Sequence, residues 1–226
     1  MPNRNGWEDA YIEEGRTKKW PSTQLVRIFF GDFTEKVQSE VNGNMTVLDV
    51  GCGKGSNLRP FLEAGCECHG VEISTEIANH AESMLSDWGY EATIQEGHNR
   101  DLPFDDNTID ILISSNAIHY EKSIDDINEA LREFKRVMKP SGVLYITTVG
   151  PEWGPLYQSA ETIGPKKYRL QVEDFRDGEV MTYFGTHKYF KSVISGHFNT
   201  VETGREKSEL MGVTRDELIC VAQNQN

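Results

Sequence analysis

The stretch Val47–Asn57, "VLDVGCGKGSN", holds an acid inside an apolar, β-prone run and then a glycine at every second position, Gly51, Gly53 and Gly55. Such a run ending in a glycine turn reads as a strand delivering the chain to a ligand. A dinucleotide loop needs G-x-G-x-x-G with a helix N-terminus aimed at a pyrophosphate, and here position 56 is serine. Asp49 has the wrong sign for a diphosphate. It suits a cation such as an ammonium group, while the backbone amides of the loop remain free to receive a carboxylate. A ligand carrying both charges, an amino-acid zwitterion, fits the pair.

Outward from this stretch the pattern alternates. "ECHGVEIS", "EATIQEG", "IDILISS" and "VLYITTV" read as further strands. Helical spacing separates them, in "SNLRPFLEAG" up to Gly65, in Ile77, Ala81, Met84, Leu85 and Trp88, and in Ile127, Leu131, Phe134 and Met138 before "KPSG". Ser123-x-x-Asp126 is a capping signal for the last of these helices. Alternation of this length predicts an α/β fold, a Rossmann-like, mostly parallel seven-stranded sheet flanked by helices. Ligands of such sheets bind beyond the carboxyl ends of the strands. The second acid, Glu72, ends the second strand about 20 residues after the loop, where a carboxylate holds ribose hydroxyls in nucleotide-binding folds. A zwitterion near Asp49 and a ribose near Glu72 together describe S-adenosylmethionine.

"VLDVGCGKG" resembles the first motif of class I S-adenosylmethionine-dependent methyltransferases, and "GVEIS" their second. "EGHNRDLPFDDNTIDILISSNAIHY" is similar to the third and fourth, and "EFKRVMKPSGVLYITT" to the segment through strand five. The likeness spans residues 46–148. By position it implies that Asp49, Gly51 and Gly53, with Cys52 and Asn57 in the same loop, meet the methionine end. Glu72 would hold the ribose, Ile73 would lie against the adenine, and the Ser115 carbonyl would face the ammonium. Where family members often read Gly-Asp-Ala, this chain reads Gly97-His98-Asn99. A neutral His98 could accept from the adenine amino group, or the contact is made through the Asn99 backbone.

The sulfonium methyl is already electrophilic, so the protein has chiefly to align a nucleophile and exclude water. His119 in "NAIHY" is the candidate general base, following strand four where substrate should sit; a purely structural histidine is the other reading. Tyr120 is expected to form a wall of the substrate site. Residues 1–45 form a separate N-terminal segment with Trp7, Tyr11 and Trp20 in polar surroundings. It weakly resembles the leading segment of thiopurine- and tellurite-type methyltransferases, which implies a helical lid placing Tyr11 and Trp20 on the cofactor. The domain proper is then 46–226, with a cap insertion at about 150–185 after strand five. There Lys166, Tyr168 and Arg169 make a basic cluster able to hold an anionic group of a small-molecule substrate, unless it is simply a solvated loop.

Bulk properties narrow the class. The chain has 226 residues, 37% hydrophobic and 26% charged, which suits a globular protein. A net charge of −13 argues against a nucleic-acid partner. No apolar run is long enough to span a bilayer and "MPNRNGWEDAY" has no apolar signal region, so a cytoplasmic protein is expected. The four cysteines, Cys52, Cys66, Cys68 and Cys220, read as free thiols. Cys66 and Cys68 with His69 do not make a metal site, because alternate strand residues would send the imidazole to the opposite face. The expected activity is methyl transfer to a small molecule, releasing S-adenosylhomocysteine. A protein or RNA methyltransferase, an inactive cofactor-binding partner protein and an NAD-dependent oxidoreductase are the competing readings. "SNAIHY" lacks the Asn-Pro-Pro-Tyr pattern used on base or glutamine nitrogens, and Glu121 stands without the second glutamate of an arginine-methylating loop.

Overall fold

The computed structural model describes residues 4–12, 20–34, 40–153, 159–174 and 176–224. Parts of the N-terminal segment (13–19 and 35–39) and of the insertion (154–158 and 175) lie outside the described residues. Five parallel strands, β1 (Thr46–Val50), β2 (Glu67–Glu72), β3 (Thr93–Glu96), β4 (Ile109–Ser115) and β5 (Met138–Val149), begin the main sheet. A closing hairpin, β9 (Thr200–Leu210) and β10 (Val213–Gln223), completes seven strands in the order β3-β2-β1-β4-β5-β10-β9, with β10 antiparallel to β5. The order reverses between β1 and β4. Their carboxyl ends therefore flank the crevice where ligands enter such sheets.

Strand periodicity divides β1 between two cores. Leu48 and Val50 join the cluster under helix α5 (Ile124–Val137), and Val47 joins the opposite one with Phe61 of α3 (Arg59–Glu63) and Ala81 of α4 (Thr75–Asp87). The 3₁₀ turn Ser56–Leu58 precedes α3. Ser74 and Ser123 cap α4 and α5, each accepting from a backbone N–H three residues on, Ile77 at 3.3 Å and Asp126 at 3.1 Å. Ile127, Leu131 and Phe134 are fully buried, as their spacing predicts. Met138 is buried too, but α5 stops at Val137 and Met138 opens β5, pairing with Ile109 before a register shift.

The N-terminal segment contributes α1 (Arg4–Ile12), which lies along α4, and α2 (Thr23–Phe29), which buries Leu25 and Phe29. The weakly periodic insertion holds an antiparallel three-stranded sheet, β6 (Glu161–Gly164), β7 (Lys167–Arg169) and β8 (Val180–Thr182). It is fastened to the exit of β4 by Thr182 Oγ1, which donates to the Glu121 carbonyl at 2.6 Å. Helix α6 (His187–Ile194) follows and packs Phe190 and Ile194 into the core beside α5. The β9–β10 turn is made by Met211 and Gly212, both left-handed (φ 53° and 78°), as a two-residue hairpin turn of this type requires. Among the described residues no helix is long and apolar enough to cross a membrane.

Candidate active site

The glycine spacing is explained by backbone geometry. Gly51, Gly53 and Gly55 have φ of 72°, 59° and 72°, the left-handed region in which a side chain is strained. A Cβ on Gly51 would also stand 2.7 Å from that of Ala117, and one on Gly53 would be 3.0 Å from the Tyr11 ring. The loop thus runs tightly between β4's exit and α1, with the Gly51 and Cys52 amides bonded to the Val71 carbonyl of β2 at 2.8 and 3.3 Å. Glu72 takes one loop amide and the amide of its own neighbour: its carboxylate accepts from Gly53 N–H at 2.5 Å and from Ile73 N–H at 3.1 Å. Burial still raises the Glu72 pKa to about 7.

Asp49 lies just beneath this floor, with no exposed surface. Neither carboxylate oxygen has a hydrogen-bond partner of good geometry. Asn57, whose Oδ1 accepts from Ser22 N–H at 2.9 Å, is the one neighbour whose side chain favours the charged form. Desolvation, and after it the Glu72 charge, raise the Asp49 pKa to about 8. A second acceptor is orphaned close by. Asn116 sits left-handed (φ 56°) at the end of β4, its N–H bonded to the Thr147 carbonyl and hydroxyl at 3.2 and 3.1 Å. Its Nδ2 donates to Glu217 Oε1 at 2.9 Å, which fixes the amide's orientation and leaves Oδ1 buried without a donor.

Above these groups is a cavity of about 900 Å³. It brings together most of the residues singled out from the sequence. Gly51, Cys52, Gly53 and Asn57 line its floor, Glu72 and Ile73 the β2 side, and His98 and Asn99 the β3 exit. Ser115 and Tyr120 line it at the β4 exit, and Tyr11 and Trp20 from the N-terminal segment. Trp7 stacks on Tyr11 (6.0 Å, 17°), meets the edge of Tyr120 (4.9 Å, 85°) and donates to Glu179 at 3.2 Å. Burial pushes the Tyr120 phenol up to about 12, although a hydrogen bond from Arg176 opposes the shift. Asn99 donates to Glu121 at 2.9 Å, and Glu121 also receives Arg100 at 3.2 Å.

Two expectations change and a third narrows. His119 is turned inward by the 3₁₀ turn Ile118–Tyr120, which sends Tyr120 to the cavity and the imidazole under it, with Nδ1 3.2 Å from Thr148 Oγ1. The ring is buried and does not line the cavity, and desolvation lowers its pKa to about 3, so it is not a base at the rim. His98 lines the cavity, but its Nδ1 is already engaged, accepting from Arg100 N–H at 3.3 Å and lying 3.8 Å from Glu121 Oε1, so of its ring nitrogens Nε2 alone is left for a ligand. Lys166, Tyr168 and Arg169 stay with the small sheet. Lys166 lies over the Tyr189 ring (3.8 Å), Tyr168 meets Tyr183 edge-on (5.3 Å) and Arg169 pairs with Glu161 (3.3 Å). From that insertion Trp153 and Arg176 reach the cavity instead, and the Arg176 guanidinium is bound by Asp174 at 2.6 to 3.2 Å.

Sequence reasoning missed Asn116, Trp153 and the hairpin face Glu206, Ser208, Arg215 and Glu217, all of which line the cavity. The hairpin residues carry a period-2 pattern, but only the register, Glu217 opposite Glu206 and Arg215 opposite Ser208, shows which face turns inward.

A mostly parallel sheet covered on both faces, with buried carboxylates at the carboxyl ends of β1 and β2, suits a nucleoside ligand that carries positive charge better than a diphosphate. Residues 48–146 match the protein family described as "Methyltransferase domain", and over that span the chain carries a class I, S-adenosylmethionine-dependent methyltransferase domain. It is 30% identical over 171 residues to phosphoethanolamine N-methyltransferase of Plasmodium falciparum, covering 72% of this chain and 60% of that protein. It is also 30% identical over 121 residues to malonyl-[acyl-carrier protein] O-methyltransferase of Pseudescherichia vulneris, covering 52% and 45%. The chain thus spans about half the length of these curated relatives. A crystal structure of an S-adenosylmethionine-dependent methyltransferase from Methanosarcina mazei shares the fold, with a TM-score of 0.69 at 18% identity over 81% of this chain and 94% of that one.

S-adenosylmethionine is the cofactor of this class, and the donor set suits it. The orphaned Asp49 oxygens want positive charge, and Glu72 has the place and chemistry of a ribose ligand. Glu72→Ala should weaken S-adenosylmethionine binding by roughly one to two powers of ten, the worth of hydrogen bonds to a charged acceptor. Titration calorimetry reads this directly, and unchanged affinity rejects the ribose assignment.

Proposed function

We propose that this chain transfers a methyl group from S-adenosylmethionine to a small-molecule acceptor held in the cavity. The observation that carries the reading is the cavity itself. Its volume of about 900 Å³ lies within the roughly 300–1,000 Å³ usual for ligand pockets, and it is walled on three sides by α1, the exit of β4 and the β9–β10 hairpin. When bound, the cofactor supplies an activated methyl group that needs no covalent enzyme intermediate. Gly51, Gly53 and Ser115 hold the methionine end above Asp49, Glu72 takes the ribose, and Ile73, His98 and Asn99 border the adenine. Tyr11 and Trp20, on residues 1–45, serve as a lid that shuts out water, and residues 150–185 cap the acceptor side through Trp153 and Arg176, beside Tyr120. The two relatives described above bear the names of a nitrogen and an oxygen methyltransferase, so likeness supports the reaction and leaves the acceptor atom to the site.

A cytoplasmic location belongs to this reading. Its support is that Cys52, Cys66, Cys68 and Cys220 are buried free thiols, as a reducing compartment keeps them.

The test uses S-adenosylmethionine labelled in the methyl group, incubated with the protein and a cell extract. Label should pass into the ultrafiltrate as a new small compound. Label found only in protein or RNA, or no transfer by a sample that binds the cofactor, overturns the proposal.

A further inference from the structure

The hairpin wall carries an electrostatic feature that cofactor binding does not use. Glu206 and Glu217 stand directly opposite each other on β9 and β10 and both line the cavity. Like charges in that relation destabilise a sheet, and among the described residues neither is in an ion pair. Arg215, two residues from Glu217 on the same face, also lines the cavity but is exposed and among the described residues is in no ion pair with either acid, and Arg176 is occupied by Asp174 and Tyr120. Two carboxylates therefore face the cavity without a cation of their own.

Their place in the sheet separates them from the cofactor residues. β10 lies two strands beyond β4, on the side away from β1 and β2, where Asp49 and Glu72 hold the nucleoside end. Asn116 joins the halves. It binds Glu217 through Nδ2 and keeps a buried Oδ1 with no donor, at the exit of β4 between the two. Trp7, Tyr120 and Trp153 form the remaining wall, and aromatic faces attract cations. An acceptor oxygen, two uncompensated carboxylates and aromatic rings around one space select a positively charged head with N–H donors.

We propose that the methyl acceptor is an amine, received as its ammonium form between Glu206 and Glu217 and oriented by the Asn116 amide oxygen. This rests on the small-molecule methyltransferase reading and names its substrate class. Before transfer the ammonium gives one proton to a carboxylate of the pair. The lone pair so freed forms the C–N bond while the electrons of the broken C–S bond stay on sulfur, and the carboxylate passes its proton to water. A hydroxyl or thiol acceptor would leave both carboxylates without a partner.

The experiment compares 2-phenylethylamine with 2-phenylethanol, which differ in little but charge, by calorimetry on protein saturated with S-adenosylhomocysteine. The amine should bind about ten-fold or more tightly than the alcohol, as for one charge-assisted hydrogen bond. Glu217→Gln should remove most of that preference without changing affinity for S-adenosylhomocysteine, and Glu206→Gln is the second variant should the first fail to fold. Equal affinity for the alcohol, no binding of either compound, or a preference that survives in both variants overturns the amine assignment. Saturation with S-adenosylhomocysteine is measured first, so failure of the cofactor site is seen separately from failure of the amine site.

Discussion

Replacing Asp49 by asparagine should weaken S-adenosylmethionine binding by about ten- to a hundred-fold while raising the melting temperature of the ligand-free protein. Both effects come from one group. Asp49 is completely buried, its oxygens lack hydrogen-bond partners, and Glu72 adds a like charge nearby. Its pKa is raised from 3.8 to about 8, so the folded chain keeps a proton that the unfolded chain has already released over that interval. The favourable side is therefore acid. The stability that Asp49 contributes is fully present below about pH 4 and is lost as pH rises toward 8, because the native state holds the extra proton over that interval. Glu72, raised from 4.5 to about 7, acts with the same sign. Buried His119, lowered to about 3, opposes them below about pH 6.5, so the reading is the difference between the two proteins: as pH is lowered from about 8 to about 5, the melting temperature of the ligand-free wild type should rise relative to that of the asparagine variant. A cationic ligand draws both acids into their charged forms, so binding should release protons, visible as a calorimetric heat that varies with buffer ionisation. Equal pH slopes in the two proteins, or equal affinity, would reject this account.

Asp216→Ala should cost about 2–4 kcal/mol of stability, the lower part of the range for breaking a buried ion pair, because Arg205 keeps some contact with water. Asp216 has no exposed surface and receives Arg205 in a two-pronged contact at 2.7 and 2.9 Å together with Glu152 N–H at 2.6 Å. Glu152 extends the network to Arg205 and Lys207 at 2.6 and 2.7 Å. A side chain at Gly150 would run into the Asp216 carboxylate, so the chain leaving β5 is pressed against the hairpin at this point. Alanine leaves the Glu152 amide unmatched and Arg205 with the Glu152 carboxylate alone. It also loosens the strand that carries Glu217, so the acceptor wall should suffer more than the cofactor floor. Urea unfolding should show a lower midpoint at constant slope, with S-adenosylmethionine affinity reduced much less than in Asp49→Asn. A midpoint within error of wild type would show that the network is surface decoration.

What was legible before any coordinates was local or periodic. Asp49 and the three glycines are neighbours in the chain, and the turn that spaces them admits little but glycine, so loop and acid could be read together. Glu72 was recognisable because a βαβ unit sets its distance from the loop. The alternation of strands with helices determined the doubly covered parallel sheet, since each apolar stripe needs a facing partner. The faces of the later residues were a different matter. His119 and Tyr120 are adjacent in sequence, and only a single 3₁₀ turn against Thr148 decided which enters the cavity and which goes beneath it. Lys166 and Arg169 looked available as charges until their own small sheet engaged them. Glu206 and Glu217 became a pair through the register of a hairpin whose turn lies several residues away, a relation no short window contains. The sequence by itself thus determined the fold class and the cofactor end, where spacing along the chain equals spacing in space. Tertiary structure alone decided the acceptor end, because those side chains meet only after β5, the hairpin and the N-terminal helix have packed.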